Sequence, residues 1–565
     1  MSETPKRLLS AGLQILPILA AVPLFLMIWA SYQGRVGYPF DVEWMEGGML
    51  VHAWRMREGL PIYVPPSADW VPYIYPPLYP WLLSLLGEPS YATARTLSFA
   101  ASCVAAAAAV FAVRRERAGW GFAVAAAGLF FSAYDDTGTF FDLARNDAVA
   151  IALGAWAMAL SRVGTRPAVI GGGLLLFAAF TAKHNFAAVG LPILLWLWRY
   201  RGRGTALTFA ASSVIPALTF LAAMQIATDG HFLTYLLEVP AGHPLVGERG
   251  WPRAEAELWS YAPFINGAAA ISALMLLRDK GSTDSAGSDG EGGEESPDKV
   301  ARGVLAGAAV GCLLLMGVGY AADVFDVAVT EKLALARAIV SGVIAAPTLI
   351  ALLWLFYRRS RWEGARYWAG IAMVIVPLVA LMRAHHGGFV NVSIPGFWLV
   401  SVLSCALVGA AARRHVGLLA VLSGLLAFQL YDARWENPER YLPTEQDAEA
   451  GEALIELIAG YEGEVLMPHF PWYPRLAGKQ PSFPLIAYWD IDHKGGPYKD
   501  LGRSLDDALK EHRWDAVITP TKPVKHGLLK HYQKAGRTGV KGSAMRTRVG
   551  WRVQPTTIWE PRRDK

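Results

Sequence analysis

Asp41, Glu43 and Glu46 fall within six positions of one another, directly after the first long apolar run of the chain. A carboxylate at such a place can take the proton from an attacking hydroxyl, if it lies within hydrogen-bond reach and burial raises its pKa toward neutrality. Polar groups recur at the ends of later apolar runs: Asp142, Arg145 and Asp147; Lys183 and His184; Arg383, His385, His386 and Asn391. Cations among them suit a phosphate leaving group, whose charge they stabilise as it develops. Carboxylates favour the oxocarbenium-like state through which a sugar leaves its anomeric carbon. Ionisable groups near hydrocarbon are costly, so several of them converging at one depth mark a functional site.

The elements that must position these groups begin with the stretch from Tyr38 to Tyr79. Val42 to Glu58 is expected to be helical, with Trp44, Leu50, Val51 and Trp54 toward an apolar interface, and Gly59 and Pro61 end it. Tyr63, Trp70, Tyr73, Tyr75 and Tyr79, interleaved with prolines, then form a stiff aromatic loop expected at headgroup depth. Residues 76–86 are too short to cross about 30 Å of hydrocarbon, which takes about 20 residues, and read as an interfacial helix.

The chain has 565 residues, 53% of them hydrophobic, and the apolar residues come in long blocks. This composition indicates an α-helical polytopic membrane protein. The formal charge of +5 sits in Lys and Arg groups between apolar blocks, which is the positive-inside pattern and excludes nucleic acid as the partner. Threading from Lys6 and Arg7 puts the N-terminus in the cytoplasm, gives about thirteen crossings and leaves the C-terminus outside. The four polar groups then face one side, with residues 31–76 as the first external loop and residues 278–300, rich in Gly, Ser, Asp and Glu, as a disordered cytoplasmic loop. The polar triplet Lys183, His184 and Asn185 interrupts the apolar run from Ala168 to Trp198 and marks a hairpin turn. Residues 1–431 form the membrane module. From 432 to 565 the composition turns to charged and Pro-rich, with strands near 464–467 and 516–519 and helices near 447–461 and 505–512: a small α/β extracytoplasmic domain. Cys103, Cys312 and Cys405 all lie in apolar segments, so they read as core residues and no disulfide or cysteine metal site is expected.

Glu46-Gly47 followed by a helix, then Gly59, Pro61, Tyr63 and the run from Tyr75 to Tyr79, resembles the first external loop of GT-C glycosyltransferases. The likeness is to the bacterial dolichyl-phosphate-mannose-protein-mannosyltransferase-like group, which includes the lipid A aminoarabinose transferases. Ala144 to Asp147 resembles that group's second external loop, Thr181 to Lys183 is similar to the tip of its fifth and sixth helices, and His386 to Gly388 with Asn391 is similar to a late external turn. The resemblance implies an inverting transferase in the inner or plasma membrane. It would use a polyprenyl-phosphate sugar donor and a lipid, glycan or protein acceptor on the periplasmic or exterior face, with no cofactor required. It also implies an acidic first-loop residue as the general base. Relatives carry Asp-Glu before the Gly, whereas here Met45 precedes Glu46, so the base is Asp41 or Glu46, with Asp41 preferred. Glu43, Tyr75, Asp142, Arg145, Asp147, Lys183, His184, Arg383, His385, His386 and Asn391 are the expected substrate-binding residues, and no metal ligand set is assigned. A transporter or flippase, or a polymerase or ligase of lipid-linked saccharides, is the alternative. Transporters place ionisable residues near the bilayer midplane, in contrast to the helix-end placement expected here.

Overall fold

The computed structural model describes residues 3–278, 353–354, 358, 360, 362–433, 438–493, 495–521 and 528–562. The expected crossings near 304–322 and 333–356, the 278–300 loop and Cys312 fall almost wholly outside them. The described chain is mostly helical. Five helices are long and apolar enough to cross a membrane: Leu8–Val36, Tyr91–Arg115, Arg203–Ala227, Glu363–Ala384 and Val390–Ala412. Four shorter apolar helices accompany them: Trp120–Ser132, Asp147–Ser161, Arg166–Ala182 and Val416–Asp432. At 1.5 Å per residue these reach only about 20 to 26 Å, because polar turns cut into the apolar runs.

In chain order the elements that matter are α1 (Glu3–Val36), α2 (Glu46–Arg57), α3 (Leu78–Leu85), α4 (Tyr91–Arg115), α5 (Trp120–Ser132), α6 (Asp147–Ser161), α7 (Arg166–Ala182), α8 (Gly190–Tyr200) and α9 (Arg203–Ala227). α1 packs on α5, α4 on α6, α6 on α7 and α7 on α9. The buried face of α4 is lined by Ala105, Ala108, Ala109 and Ala112, small side chains that let helix backbones approach closely. Cys103 lies on the same helix but is exposed, not in the core as expected; Cys405 is buried. The α7–α8 hairpin turns at Lys183 and a short 3-10 segment, His184–Val189, where the sequence places it.

After residue 438 the chain forms a four-stranded sheet in the order β1-β2-β4-β3, with β1 Val465–Leu466, β2 Ala516–Thr519, β3 Tyr532–Arg537 and β4 Thr557–Pro561. β1 and β2 are parallel and the other pairs antiparallel. Helices Glu445–Ala459 and Leu501–Lys510 accompany it, both beginning earlier than the expected 447 and 505. Thr444 and Asp447 form a reciprocal cap at the start of the first of these helices, satisfying amides that the first turn leaves unpaired.

The first loop departs from expectation in its surroundings. Its helix starts at Glu46, four residues later than expected, because residues 42–45 bend into a turn closed by the Glu46 amide on the Glu43 carbonyl at 3.0 Å and held by side chains described below. Trp54, Tyr63, Trp70, Tyr73 and Tyr79 are buried inside the protein, not laid at a lipid interface. Polar hydrogen bonds explain this: Trp70 Nε1 donates to Ile62 O at 2.8 Å, Tyr63 OH to Tyr75 O at 2.6 Å, and Tyr73 OH to Met45 O at 3.0 Å. The Tyr73 N–H donates to His52 Nε2 at 2.9 Å, so the proton of that ring sits on Nδ1 and is donated to Gly48 O at 2.6 Å. A Cβ at Gly48 would stand 1.9 Å from the Tyr73 hydroxyl, so no larger residue fits beneath that ring.

Candidate active site

Two carboxylates of the first loop, three positions apart, have opposite surroundings. Glu46 accepts five hydrogen bonds: from the amides of Val42 (2.7 Å), Glu43 (3.2 Å) and Ala144 (2.8 Å), and from Arg95 Nε (3.0 Å) and Nη2 (2.7 Å). Arg95 gives its remaining N–H groups to the carbonyls of Arg35, Tyr38 and Phe40. Burial alone would raise the Glu46 pKa, but the Arg95 charge and these donors outweigh it and hold the carboxyl below its ordinary value. Both side chains are fully buried. The pair is a knot that ties the first loop to α4 and to the loop before α6.

Asp41 belongs to the same side of the loop. Its Oδ1 accepts from Gly47 N at 2.7 Å, its own amide donates to the Tyr473 hydroxyl at 3.2 Å, and Oδ2 is buried without a partner among the described residues. Burial, reinforced by the Glu46 charge, pushes its carboxyl well above the usual carboxylate range.

Glu43 faces the other way. Its Oε2 accepts from Arg145 Nη1 at 3.0 Å and from the Met45 amide at 3.2 Å, while Oε1 accepts nothing among the described residues. Glu43 is 1% exposed, and burial, opposed by Arg145 and aided by Glu46, raises its pKa to about 7. Arg145 also donates to Met45 Sδ at 2.8 Å, stands over the Phe140 ring at 5.2 Å, and keeps its Nε buried and unpartnered among the described residues. The charges that act on Tyr75 are Arg145, Asp490, Asp147 and Glu43, so one small region gathers residues from the first loop, the second loop, α6 and the C-terminal region.

Asp147, the first residue of α6, accepts from Lys183 Nζ at 2.6 Å and Asn391 Nδ2 at 2.9 Å, and its Oδ2 has no partner among the described residues. Three of the four expected polar groups therefore meet on one carboxylate. His184 sits beside Lys183 with Nδ1 buried and unpartnered among the described residues. Arg383 is held by Glu257 at 2.7 Å and the Gly388 carbonyl at 2.7 Å, and Ser393 donates to the same Glu257 at 2.6 Å, so this cation braces the late turn. His385 Nε2 lies 3.2 Å from His243 Nδ1, whose Nε2 donates to the Asp490 carbonyl at 2.6 Å. His386 is exposed, with its amide on Pro244 O at 3.1 Å. Asp142 lies apart from Arg145: it is fully buried and pairs with Arg35 at 2.9 Å and the Tyr134 hydroxyl at 2.9 Å. It braces α1 against the second loop, and its Oδ2 is buried without a partner among the described residues.

Arg95, Arg35, Glu257 and Asp490 escaped the sequence reading. Arg95 carried a usable signal, being a charge within the apolar run that becomes α4. Asp490 carried none, since it follows Trp489 in a stretch that reads as an ordinary soluble helix. It lies on Leu485–Ile491, its carboxylate makes no hydrogen bond or ion pair among the described residues, and burial, opposed by Arg145, raises its pKa to about 7. Among the described residues no group of three or more His, Cys, Asp or Glu has the geometry to hold a metal ion.

No protein-family model matches the chain, and no curated protein sequence matches it. Among the solved structures that resemble it over most of its length are the following three. ArnT from Cupriavidus metallidurans bound to undecaprenyl phosphate is 13% identical, with 96% of this chain and 97% of that chain covered and a TM-score of 0.43. The apo ArnT structure is 12% identical over the same shares, with a TM-score of 0.44. The archaeal oligosaccharyltransferase AglB from Archaeoglobus fulgidus, in complex with an inhibitory peptide and a dolichol-phosphate, is 11% identical over 91% of this chain and 70% of that chain, with a TM-score of 0.47.

Proposed function

We propose that this chain is a membrane glycosyltransferase that moves a sugar, with inversion, from a polyprenyl-phosphate donor to an acceptor at the outer membrane face, and that Glu43 is its general base. The observation that carries the reading is the Glu43–Arg145 pair: a buried carboxylate with one oxygen on a cation, the other oxygen open, and a pKa near 7. A base works best when its pKa lies near the working pH. In the step, the acceptor hydroxyl gives its proton to Glu43 Oε1 while its oxygen attacks the anomeric carbon. The bond from that carbon to the phosphate oxygen breaks, and the electron pair leaves with the phosphate. Arg145, with its unpartnered Nε, and Lys183 stabilise that charge. Asp147 and Asn391 hold Lys183 in place.

Asp41 and Glu46, the two bases suggested by the family pattern, fit the role less well. Every lone pair that Glu46 can offer is occupied. Among the described residues Asp41 keeps Oδ2 without a partner, but no cation contacts it, and burial and the Glu46 charge push its carboxyl well above the usual carboxylate range, whereas Glu43 sits on Arg145. The assay is transfer of radiolabelled sugar from polyprenyl-phosphate donors by the full chain in nanodiscs. Transfer by wild type, lost in Glu43→Gln and kept in Asp41→Asn, is the expected result. The opposite loss pattern would return the base to Asp41, and labelled lipid crossing the bilayer with no sugar transfer would replace the enzyme with a flippase.

A further inference from the structure

Trp44, Trp489 and Trp551 come from three distant segments and gather beside Glu43. Their ring centroids lie 5.3 Å (Trp44–Trp551), 5.4 Å (Trp489–Trp551) and 6.1 Å (Trp44–Trp489) apart. Trp489 and Trp551 are 42% and 46% exposed. Single exposed aromatics need no explanation, but indoles collected into one exposed patch do.

The patch is assembled by backbone bonds, not by chance contact of side chains. Arg548 and Val549 donate their amides to the Val42 carbonyl at 2.8 and 3.2 Å, and Glu43 pairs with Val549 as a parallel bridge, which sets Trp551 beside Trp44. His243 fixes the other side through the Asp490 carbonyl, presenting Trp489 and the unbonded Asp490 carboxylate together. The Glu43 side chain approaches Gly550 so closely that a Cβ there would lie 2.9 Å from Oε1 and 3.2 Å from Trp44 Cδ1.

We infer that Trp489 and Trp551, with Trp44 behind them and Asp490 at their edge, form the acceptor subsite and that the acceptor is a saccharide whose ring lies on the indoles. A pyranose has an apolar C–H face, which an aromatic face covers, and a rim of hydroxyls, which an unbonded carboxylate accepts. The adjacency to Glu43 Oε1 would put one of those hydroxyls at the base. A cationic ligand over the indoles would meet the repulsion of Arg145, a fixed cation that bonds Glu43 and acts on Asp490. A purely hydrocarbon ligand would leave Asp490 facing apolar surface. This assignment rests on the transferase reading above and narrows its acceptor to a glycan.

The test is saturation-transfer NMR on the full chain in nanodiscs, using maltotriose, cellotriose, chitotriose and mannotriose as probes, with tetramethylammonium and a serine-containing hexapeptide as competitors in class. The expected result is saturation of ring C–H protons of at least one trisaccharide, reduced by about fivefold or more in Trp489→Ala and in Trp551→Ala, and by a smaller factor in Asp490→Asn. Thermal unfolding of the same variants checks that the substitutions leave the fold intact. No saturation of any trisaccharide, an unchanged signal in both Trp variants, or preferential binding of the hexapeptide or the ammonium ion would each overturn the assignment. Donor consumption is read separately. Saccharide binding without donor use leaves this subsite standing and removes the transferase, while donor use without saccharide binding does the reverse.

Discussion

Glu46–Arg95 and Glu43–Arg145 are two buried carboxylate–arginine pairs whose carboxylates share one loop, and they differ in what they leave unbonded. In the first, the carboxylate accepts five hydrogen bonds and the guanidinium gives all of its N–H groups away. In the second, Glu43 keeps one oxygen open and Arg145 keeps Nε without a partner among the described residues. A completed pair can only hold structure, because any ligand would have to displace a bond already made. An incomplete pair, desolvated and poised near neutral, has capacity left for chemistry. The lesson is that charge type and burial do not separate the two; the occupancy of lone pairs does.

The largest effect expected from breaking the contrast is on rate. Glu43→Gln removes the base while keeping its shape, and transfer should fall by roughly 10²- to 10⁴-fold. Arg145 also loses its buried counter-charge, so the melting temperature drops as well, but by less than in Glu46→Gln, because Glu43 accepts one N–H of its arginine where Glu46 accepts two. Glu46→Gln should do the reverse in kind: Arg95 is left buried without its counter-charge, and the protein loses about 3 to 5 kcal/mol of stability, read as a lower melting temperature and reduced yield. If Glu46→Gln kept wild-type stability and lost only turnover, the two pairs would have to exchange roles.

The pH profile sharpens the same contrast at a smaller scale. Burial, with the Glu46 charge adding and Arg145 opposing, holds Glu43 at about 7. As a base it acts deprotonated, so turnover should fall about tenfold per unit as pH drops below 7 and level off above it. Arg145→Gln removes the charge that lowers this pKa, so the acid limb should move to higher pH. A limb at the ordinary glutamate value would mean that Glu43 is not the titrating group.

Much of this is legible in the sequence itself. Asp41, Glu43 and Glu46 stood out because charge is costly beside apolar runs, and the Lys183 turn was marked by an interruption of such a run. The β1 and β2 positions and the α7–α8 hairpin followed from local pattern. What was not legible is pairing at a distance. Nothing in the spacing of DVEWME says that Glu46 meets Arg95 while Glu43 meets Arg145, since that choice is made by how α4 and the second loop pack. Trp551 follows Glu43 by more than five hundred residues and reaches it through the backbone bridge at Val549, and Asp490, more than four hundred residues on, is fixed by His243. The aromatic loop misled for a related reason: Tyr and Trp suit a membrane interface and a hydrogen-bonded interior equally well, and only partners such as His52 and Met45 distinguish the two.

The smallest effect isolates the space around Glu43 Oε1. Gly550 and Gly59 both have φ of +69°, a left-handed conformation that costs an L residue about 1 to 2 kcal/mol. A Cβ at Gly59 meets nothing within 4 Å, whereas one at Gly550 would stand 2.9 Å from Glu43 Oε1. Gly59→Ala should therefore lose roughly that amount of stability, and Gly550→Ala somewhat more, since it shares the backbone strain and its Cβ must also displace the Glu43 carboxylate. Only Gly550→Ala should also slow transfer, because its methyl group occupies the side from which an acceptor hydroxyl would approach the open oxygen. Equal rates in the two variants would show that this oxygen does not meet the acceptor from the Gly550 side, and the acceptor path would then have to run past Arg145.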